Sequence, residues 1–272
     1  MILRKSPAEV ELMARAGAIV ARANSAVRDA LRPGMTTADL DRIAEDVIVG
    51  EGAIPSFKGY HGFPATLCTS RNHEIVHGIP SPDVVLEEGD VISVDCGAIW
   101  QGFHGDSAMS LVVGGEDAAS DEVRELLRVT REALWSGIRA ATSGNRLGDI
   151  GAAVQAHADA RGYGLVREYV GHGIGRALHE APSVPNYGRA GKGLRLAEGL
   201  VIAIEPMFNL GTAETVTLDD DWTVVTADGL ISAHWEHTVA ITPDGPKVLT
   251  AREDDEPFLA ALDLNFVEAR RW

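Results

Sequence analysis

Leu86-Glu87-Glu88-Gly89-Asp90-Val91-Ile92-Ser93-Val94-Asp95 and Leu196-Ala197-Glu198-Gly199-Leu200-Val201-Ile202-Ala203-Ile204-Glu205 share the pattern L-x-E-G-x-V-I-x-[V/I]-[D/E], 110 residues apart. Each reads as a glycine turn entering a Val/Ile-rich strand that ends on an acid. Upstream of the first copy, Ser6, Pro7 and Glu9 form a helix start, with Val10, Met13, Ala14, Gly17 and Val20 at helical spacing up to Pro33-Gly34. Thr37 is expected to cap a second helix through Leu40, Ile43, Ala44 and Val47, stopped near Gly50. Upstream of the second copy the order recurs. Ser120 opens a helix through Val123, Leu126, Leu127, Thr130, Leu134 and Ile138, and Asn145 is placed to cap another through Leu147, Ile150, Val154 and His157.

The same offset therefore relates strands and helices, which predicts an α+β chain of two pseudo-symmetric helix-helix-strands halves, about 6–115 and 116–250. No Pro- or Ser-rich linker separates them, so one fused domain over 1–250 is expected. Residues 251–272, acidic at Glu253-Asp254-Asp255-Glu256 and ending Arg270-Arg271-Trp272, read as a C-terminal tail to which the sequence assigns no role.

A chain of 272 residues can bury a sizeable core. Its 45% apolar and 24% charged residues, without a long apolar run or a basic start leading into an apolar stretch, speak against disorder, membrane spanning and secretion, and a cytoplasmic protein is expected. With 24 Lys and Arg against 40 Asp and Glu, the formal charge of -16 disfavours nucleic acid and anionic membrane as partners. Cys68 and Cys96 make neither a disulfide framework nor a zinc finger.

In the first half a second acid closes the run Asp95-Cys96-Gly97-Ala98-Ile99-Trp100-Gln101-Gly102-Phe103-His104-Gly105-Asp106. A hairpin turning near Trp100-Gln101 would set Asp95 and Asp106 opposite each other, with Cβ atoms ~5 Å apart. In the second half Glu205 takes the place of Asp95, and Glu236 precedes a strand much as Asp106 does, so a pseudo-twofold would converge all four acids. Four ionised carboxylates in one small volume repel by several kcal/mol even at an effective dielectric of ~20; they must protonate, separate or bind cations. Two divalent metals cancel the charge, and a histidine among the acids points to Mn, Fe or Co rather than Ca or Mg. The segment Glu168-Tyr169-Val170-Gly171-His172-Gly173-Ile174-Gly175-Arg176-Ala177-Leu178-His179-Glu180 supplies His172 between glycines and His179 seven residues on.

Any one of these acids alone reads as a solvated strand end; their paired, repeated placement is what points to a site. His61, His73, His104, His157, His234 and His237 read as surface or core-satisfied histidines and are assigned no metal, whereas His77, His172 and His179 lie in unusual glycine or proline surroundings. Gly171 to Gly175 lacks the Lys-Ser/Thr of a phosphate loop and the spacing of a dinucleotide fingerprint. Cys68 reads as a small buried apolar residue rather than a nucleophile.

Together these residues resemble the type I methionine aminopeptidases, in the minimal bacterial form, from about Ser6 to about Thr250. The resemblance is carried by Gly59-Tyr60-His61-Gly62-Phe63-Pro64, Asn72-His73-Glu74-Ile75-Val76-His77-Gly78-Ile79-Pro80, Asp95 through Asp106, Glu168 through Glu180, Ile204-Glu205-Pro206-Met207 and Glu236-His237-Thr238. It implies the pita-bread fold and two divalent ions (Co, Mn, Fe or Zn) held by Asp95, Asp106, His172, Glu205 and Glu236. It also implies Glu205, His77 and His179 as catalytic residues, the two histidines on the substrate side. By position, Phe57, Tyr60, Phe63, Cys68, Leu178 and Trp222 are implied to line the methionine pocket. The family often has an aromatic residue in place of Leu178 and a tyrosine in place of Phe63, so a roomier or less polar pocket is expected.

The implied activity is removal of the initiator methionine from peptides and nascent chains, with a small second residue preferred. Glu205 would take a proton from the attacking water, His179 would polarise the scissile carbonyl and His77 would contact the substrate amide. A monomer is expected, and the ribosome is left open as a partner. Two alternatives stand beside this reading. An X-Pro aminopeptidase or prolidase shares the ligand set but commonly carries an N-terminal domain for which 272 residues leave no room. A metal-free binding protein on the same fold would have lost ligands, and here all five positions are filled.

Overall fold

Two capped helices open each half of the chain, followed by short strands. The computed structural model describes residues 2–262. The first half comprises α1 (Pro7–Ala30), α2 (Thr37–Gly50), β1 (Ile54–Pro55), β2 (Leu67–Arg71), β3 (Glu74–Val76), β4 (Val91–Trp100) and β5 (Phe103–Val112). The second comprises α3 (Asp121–Ala140), α4 (Leu147–Arg161), β6 (Gly164–Leu165), β7 (Gly171–Gly173), β8 (Glu180–Val184), β9 (Val201–Ile204), β10 (Met207–Asn209), β11 (Thr215–Thr217), β12 (Val224–Thr226), β13 (Ser232–His234), β14 (His237–Thr242) and β15 (Gly245–Val248). A short α5 (Glu256–Ala261) follows.

The helix starts obey their caps. Ser6 and Glu9 exchange the two bonds of a capping box at α1, and Ser120 Oγ accepts from Val123 N at α3. Thr36, not Thr37, caps α2, with Asp39 returning the bond to the Thr36 amide. Arg146 occupies the corresponding place at α4, where Asp149 accepts from its amide; Asn145 instead donates to Ala140 O at the end of α3. The pseudo-symmetry extends to individual bonds 110 residues apart. The isolated bridge Thr36 to Val85 matches Arg146 to Arg195, and Gly34 N to Leu86 O matches Gly144 N to Leu196 O. Each half then buries its own layer. Ile19, Val20, Val27, Leu40 and Ile48 of α1 and α2 pack on Ile92, Val94 and Cys96 of β4. Leu134, Ile138 and Ile150 of α3 and α4 pack on Ile202 and Ile204 of β9.

One sheet joins β4 with β1, β2 and β5; another runs β15-β14-β9-β7-β8. They meet where Thr238 Oγ1 donates to Asp106 O and accepts from Asp106 N, and where Glu236 N donates to Ala108 O. Residues 251–262, expected to lie in a tail apart from the domain, are part of this packing: Arg252 and Asp255 are buried, and Phe258 stacks on Trp135 with ring centroids 5.3 Å apart. The rest of the expected tail, 263–272, lies outside the described residues. No helix among the described residues is long and apolar enough to cross a membrane.

Candidate metal centre

The β4–β5 hairpin decides how the first pair of acids meets. Its loop is the two residues Gln101 and Gly102, both at positive φ (48° and 79°), as a twisted two-residue turn requires. That fixes the register as Trp100 to Phe103, hence Gly97 opposite Asp106 and Asp95 opposite Ala108. Asp95 and Asp106 are therefore diagonal rather than directly opposed as expected. Two residues of offset keep both on the same face.

His172 enters from β7, squeezed between β8 and β9. A Cβ at Gly171 would come within 2.3 Å of Ala203 O, and one at Gly173 within 2.4 Å of Ala181 O, so the flanking glycines are what admit the strand. His172 Nδ1 donates to Gly173 O at 2.9 Å, which leaves the Nε2 lone pair facing the acids. That atom lies 3.9 Å from Asp106 Oδ2 and 3.7 Å from Glu205 Oε1. Donor atoms of Asp106, His172 and Glu236 all fall within 4.8 Å of one another. Glu205 follows the end of β9, and Glu236 lies in the two-residue gap between β13 and β14. The structure thus gathers Asp106, His172, Glu205 and Glu236, with Asp95 on the same face of the hairpin as Asp106.

It adds a sixth. His234, set aside as a core histidine, points Nε2 to within 3.7 Å of Glu205 Oε2. In register it is the counterpart of Asp106: Gly97 faces Asp106 across β4 and β5, and Met207, 110 residues after Gly97, faces His234 across β10 and β13.

Burial pushes the Asp95 carboxyl up to about 7, and burial with the Asp95 charge pushes Glu205 up to about 8. Burial and the surrounding carboxylates push Asp106 and Glu236 well above their ordinary range. Burial, aided by His179, drives His172 down to about 3, and burial with His77 drives His234 to about 3. Asp95 Oδ1, Asp106 Oδ1, Glu236 Oε1 and His234 Nε2 are buried without any hydrogen-bond partner. Unpartnered buried acceptors around a neutral imidazole are a poor arrangement for the protein alone and a fitting one for divalent cations.

An apolar cluster adjoins the acids, reaching them through Cys68, which pairs with Asp95 across β2 and β4. Phe57, Tyr60, Phe63, Cys68, Leu178 and Trp222 belong to one packed cluster, with Ile79 and Ile174. Phe63 meets Trp222 edge-on at 5.0 Å, and His77, at a φ of 62°, faces Trp222 at 6.3 Å and Tyr169 at 5.6 Å. His179 lies 4.3 Å from the His172 ring, and its Nδ1 is 2.8 Å from Tyr60 Oη. Burial lowers both His77, to about 4, and His179, so both are neutral near pH 7. Burial and the acids push the Cys68 thiol well up, which suits wall material and not a nucleophile.

The chain is similar to known proteins along most of its length. Residues 11–243 match the metallopeptidase family M24. The chain is 53% identical over 253 residues to a methionine aminopeptidase of Clostridium acetobutylicum, covering 93% of this chain and 100% of that one. The crystal structure of methionine aminopeptidase from Thermotoga maritima superposes with a TM-score of 0.89 at 43% identity, over 92% of this chain and 99% of that one. A prolidase from Pyrococcus furiosus superposes with a TM-score of 0.73 at 26% identity, over 92% of this chain and 66% of that one.

Proposed function

Because the chain belongs to metallopeptidase family M24, we propose that it removes N-terminal methionine from peptides and nascent chains at a dinuclear centre held by Asp95, Asp106, His172, Glu205 and Glu236. The observation that carries the reading is the convergence of four acids, Asp106 and Glu236 buried and three of the four with unpartnered buried oxygens, around one neutral imidazole beside an apolar cluster. Relatives at about half identity over nearly the whole chain bear the name methionine aminopeptidase, and they support the activity. Divalent ions bound there supply a water of lowered pKa and a Lewis acid for the scissile carbonyl.

The chain's own residues do the rest. Glu205, between His172 and His234, takes the proton of the attacking water and returns it to the leaving amine. With Tyr60 Oη, 2.8 Å from His179 Nδ1, as the donor of that contact, His179 Nε2–H would donate to the carbonyl oxygen of the substrate. His77, neutral and held between Tyr169 and Trp222, contacts the substrate amide. The apolar cluster takes an unbranched thioether, whose burial contributes roughly 1.5–3 kcal/mol. Nascent chains as substrates would fit a cytoplasmic protein.

A mass-spectrometric panel with Mn(II) and then Co(II) tests this. Met-Ala, Met-Gly and Met-Ser peptides should be cleaved well, Met-Leu and Met-Lys poorly, and formyl-Met-Ala not at all. Preference for Ala-Pro and Leu-Pro peptides would overturn the assignment in favour of X-Pro cleavage, and no cleavage under either metal would overturn the enzyme reading.

A further inference from the structure

Behind the acids, on the opposite side of their strands, lies a buried polar network that the proposed chemistry does not use. Arg252 is the largest fully buried side chain among the described residues, and Asp255 is equally inaccessible. Arg252 N donates to Asp255 Oδ2 at 2.9 Å, and Arg252 Nη1 donates to Ser107 Oγ at 3.2 Å. Asp255 Oδ2 lies 3.2 Å from His237 Nε2, while Arg131 donates to Asp255 Oδ1 at 2.7 Å. His237 Nδ1 meets Thr250 Oγ1 at 2.9 Å, and Thr250 Oγ1 accepts from Thr238 N. Ser107 Oγ donates to Glu236 O at 2.6 Å.

Ser107 follows Asp106 in the chain, and His237 follows Glu236. The network thus grips the neighbours of two of the acids, and Ser107 ties the backbone of one to the backbone of the other. A buried ion pair is a costly way to fill a core, since well-packed apolar side chains often replace one without loss of stability. What apolar groups could not do is donate to Ser107 and hold the His237 ring.

We propose that Arg252 and Asp255 are positioning residues for the metal centre, fixing through Ser107 and His237 the spacing of Asp106 and Glu236. The inference rests on those two acids being ligands. Groups that orient ligands from behind typically change metal affinity by 10–100-fold.

The test is calorimetric titration of Mn(II) into chelator-stripped wild type, Ser107→Ala, Arg252→Met and Arg252→Lys, with circular dichroism on each. Ser107→Ala and Arg252→Met should weaken Mn(II) binding about 10-fold or more, Arg252→Lys should restore part of the loss, and turnover of Met-Ala should recover as Mn(II) is raised. Ser107→Ala removes one small hydroxyl, so the test stands even if Arg252→Met does not fold. Wild-type affinity in folded Ser107→Ala, or turnover lost with affinity unchanged, would overturn the inference while leaving the metal reading intact. Absence of Mn(II) binding to the wild type would instead overturn the metal reading, and the inference with it.

Discussion

Chelating the divalent ions from the protein should leave a chain whose stability falls as pH rises from 7 to 8.5. The magnitude follows from the four acids. In the metal-free fold Asp95 is pushed up to about 7 and Glu205 to about 8, with Asp106 and Glu236 well above the ordinary range, whereas the same groups in an unfolded chain titrate near pH 4. Between those limits the native state holds protons that the unfolded state has lost, so each retained proton lowers stability by about 1.4 kcal/mol per pH unit. Buried histidines act in the opposite sense. His172 and His234 are held near 3, and His77 and His104 near 4, so below pH 6.5 the unfolded chain binds more protons at these sites and stability rises with pH. Above pH 7 histidine is neutral in both states, so the acids dominate, and the buried Cys68 and Cys96 thiols, pushed well up in the fold, add to the loss as pH nears 8.5. With two protons retained, the loss is about 3 kcal/mol per pH unit, or on the order of 5–10 °C in Tm. Bound ions replace those protons, so metal affinity increases with pH and the loaded protein holds its Tm. Differential scanning calorimetry at half-unit steps, with EDTA and with Mn(II), reads both curves. A chelated protein whose Tm is flat or rising between pH 7 and 8.5 would refute the reasoning.

Two further substitution sets separate roles. His172→Ala should lose metal by elemental analysis, whereas His179→Ala should keep most of it and lose roughly 10²-fold in turnover; a metal-free His179→Ala protein would reverse those roles. Lys5 Nζ lies 2.6 Å from Glu180 Oε2 with both side chains almost inaccessible, so Lys5→Met should cost about 3–5 kcal/mol and lower Tm on the order of 10 °C, with Lys5→Met/Glu180→Gln recovering part of it in the same melt.

Much of the fold was legible because repeated local signals reinforce one another: a glycine turn, a β-branched run and a terminal acid, each preceded by two capped helices. Register was less so. Nothing in the composition of Trp100-Gln101-Gly102-Phe103 says which two residues turn, and one position of error converts a diagonal pair into an opposed one. His234 escaped for a related reason. Carrying Asp106 forward by the 110-residue offset lands on Val216, inside the β11–β12 hairpin that the second half inserts before its return strand. The true counterpart lies 128 residues after Asp106 and shows only in cross-strand pairing. Residues 251–262 lacked any periodic signal, since Arg252 and Asp255 are held by polar contacts from Ser107, His237 and Arg131, far apart in sequence.

The departures from symmetry at the centre carry a chemical consequence. Each half delivers one acid at the equivalent position, Asp95 in the middle of β4, which runs on past the strand end expected there, and Glu205 just past β9, but the return strands differ: the first half offers Asp106 where the second offers His234, and the second places Glu236 level with Ala108 of the first. A strictly twofold centre would surround every acid with the same neighbours. Here Asp106 and Glu236 are raised by two or three other carboxylates, while Glu205 is raised by burial and by Asp95 and has neutral imidazoles 3.7 Å away on both oxygens. Under the proposed dinuclear reading, cations would screen Asp106 and Glu236 most strongly, because those acids face the most carboxylate charge. Glu205 would need less screening than those two and sits between neutral imidazoles that add no charge, which supports its proposed part in releasing and recovering a proton.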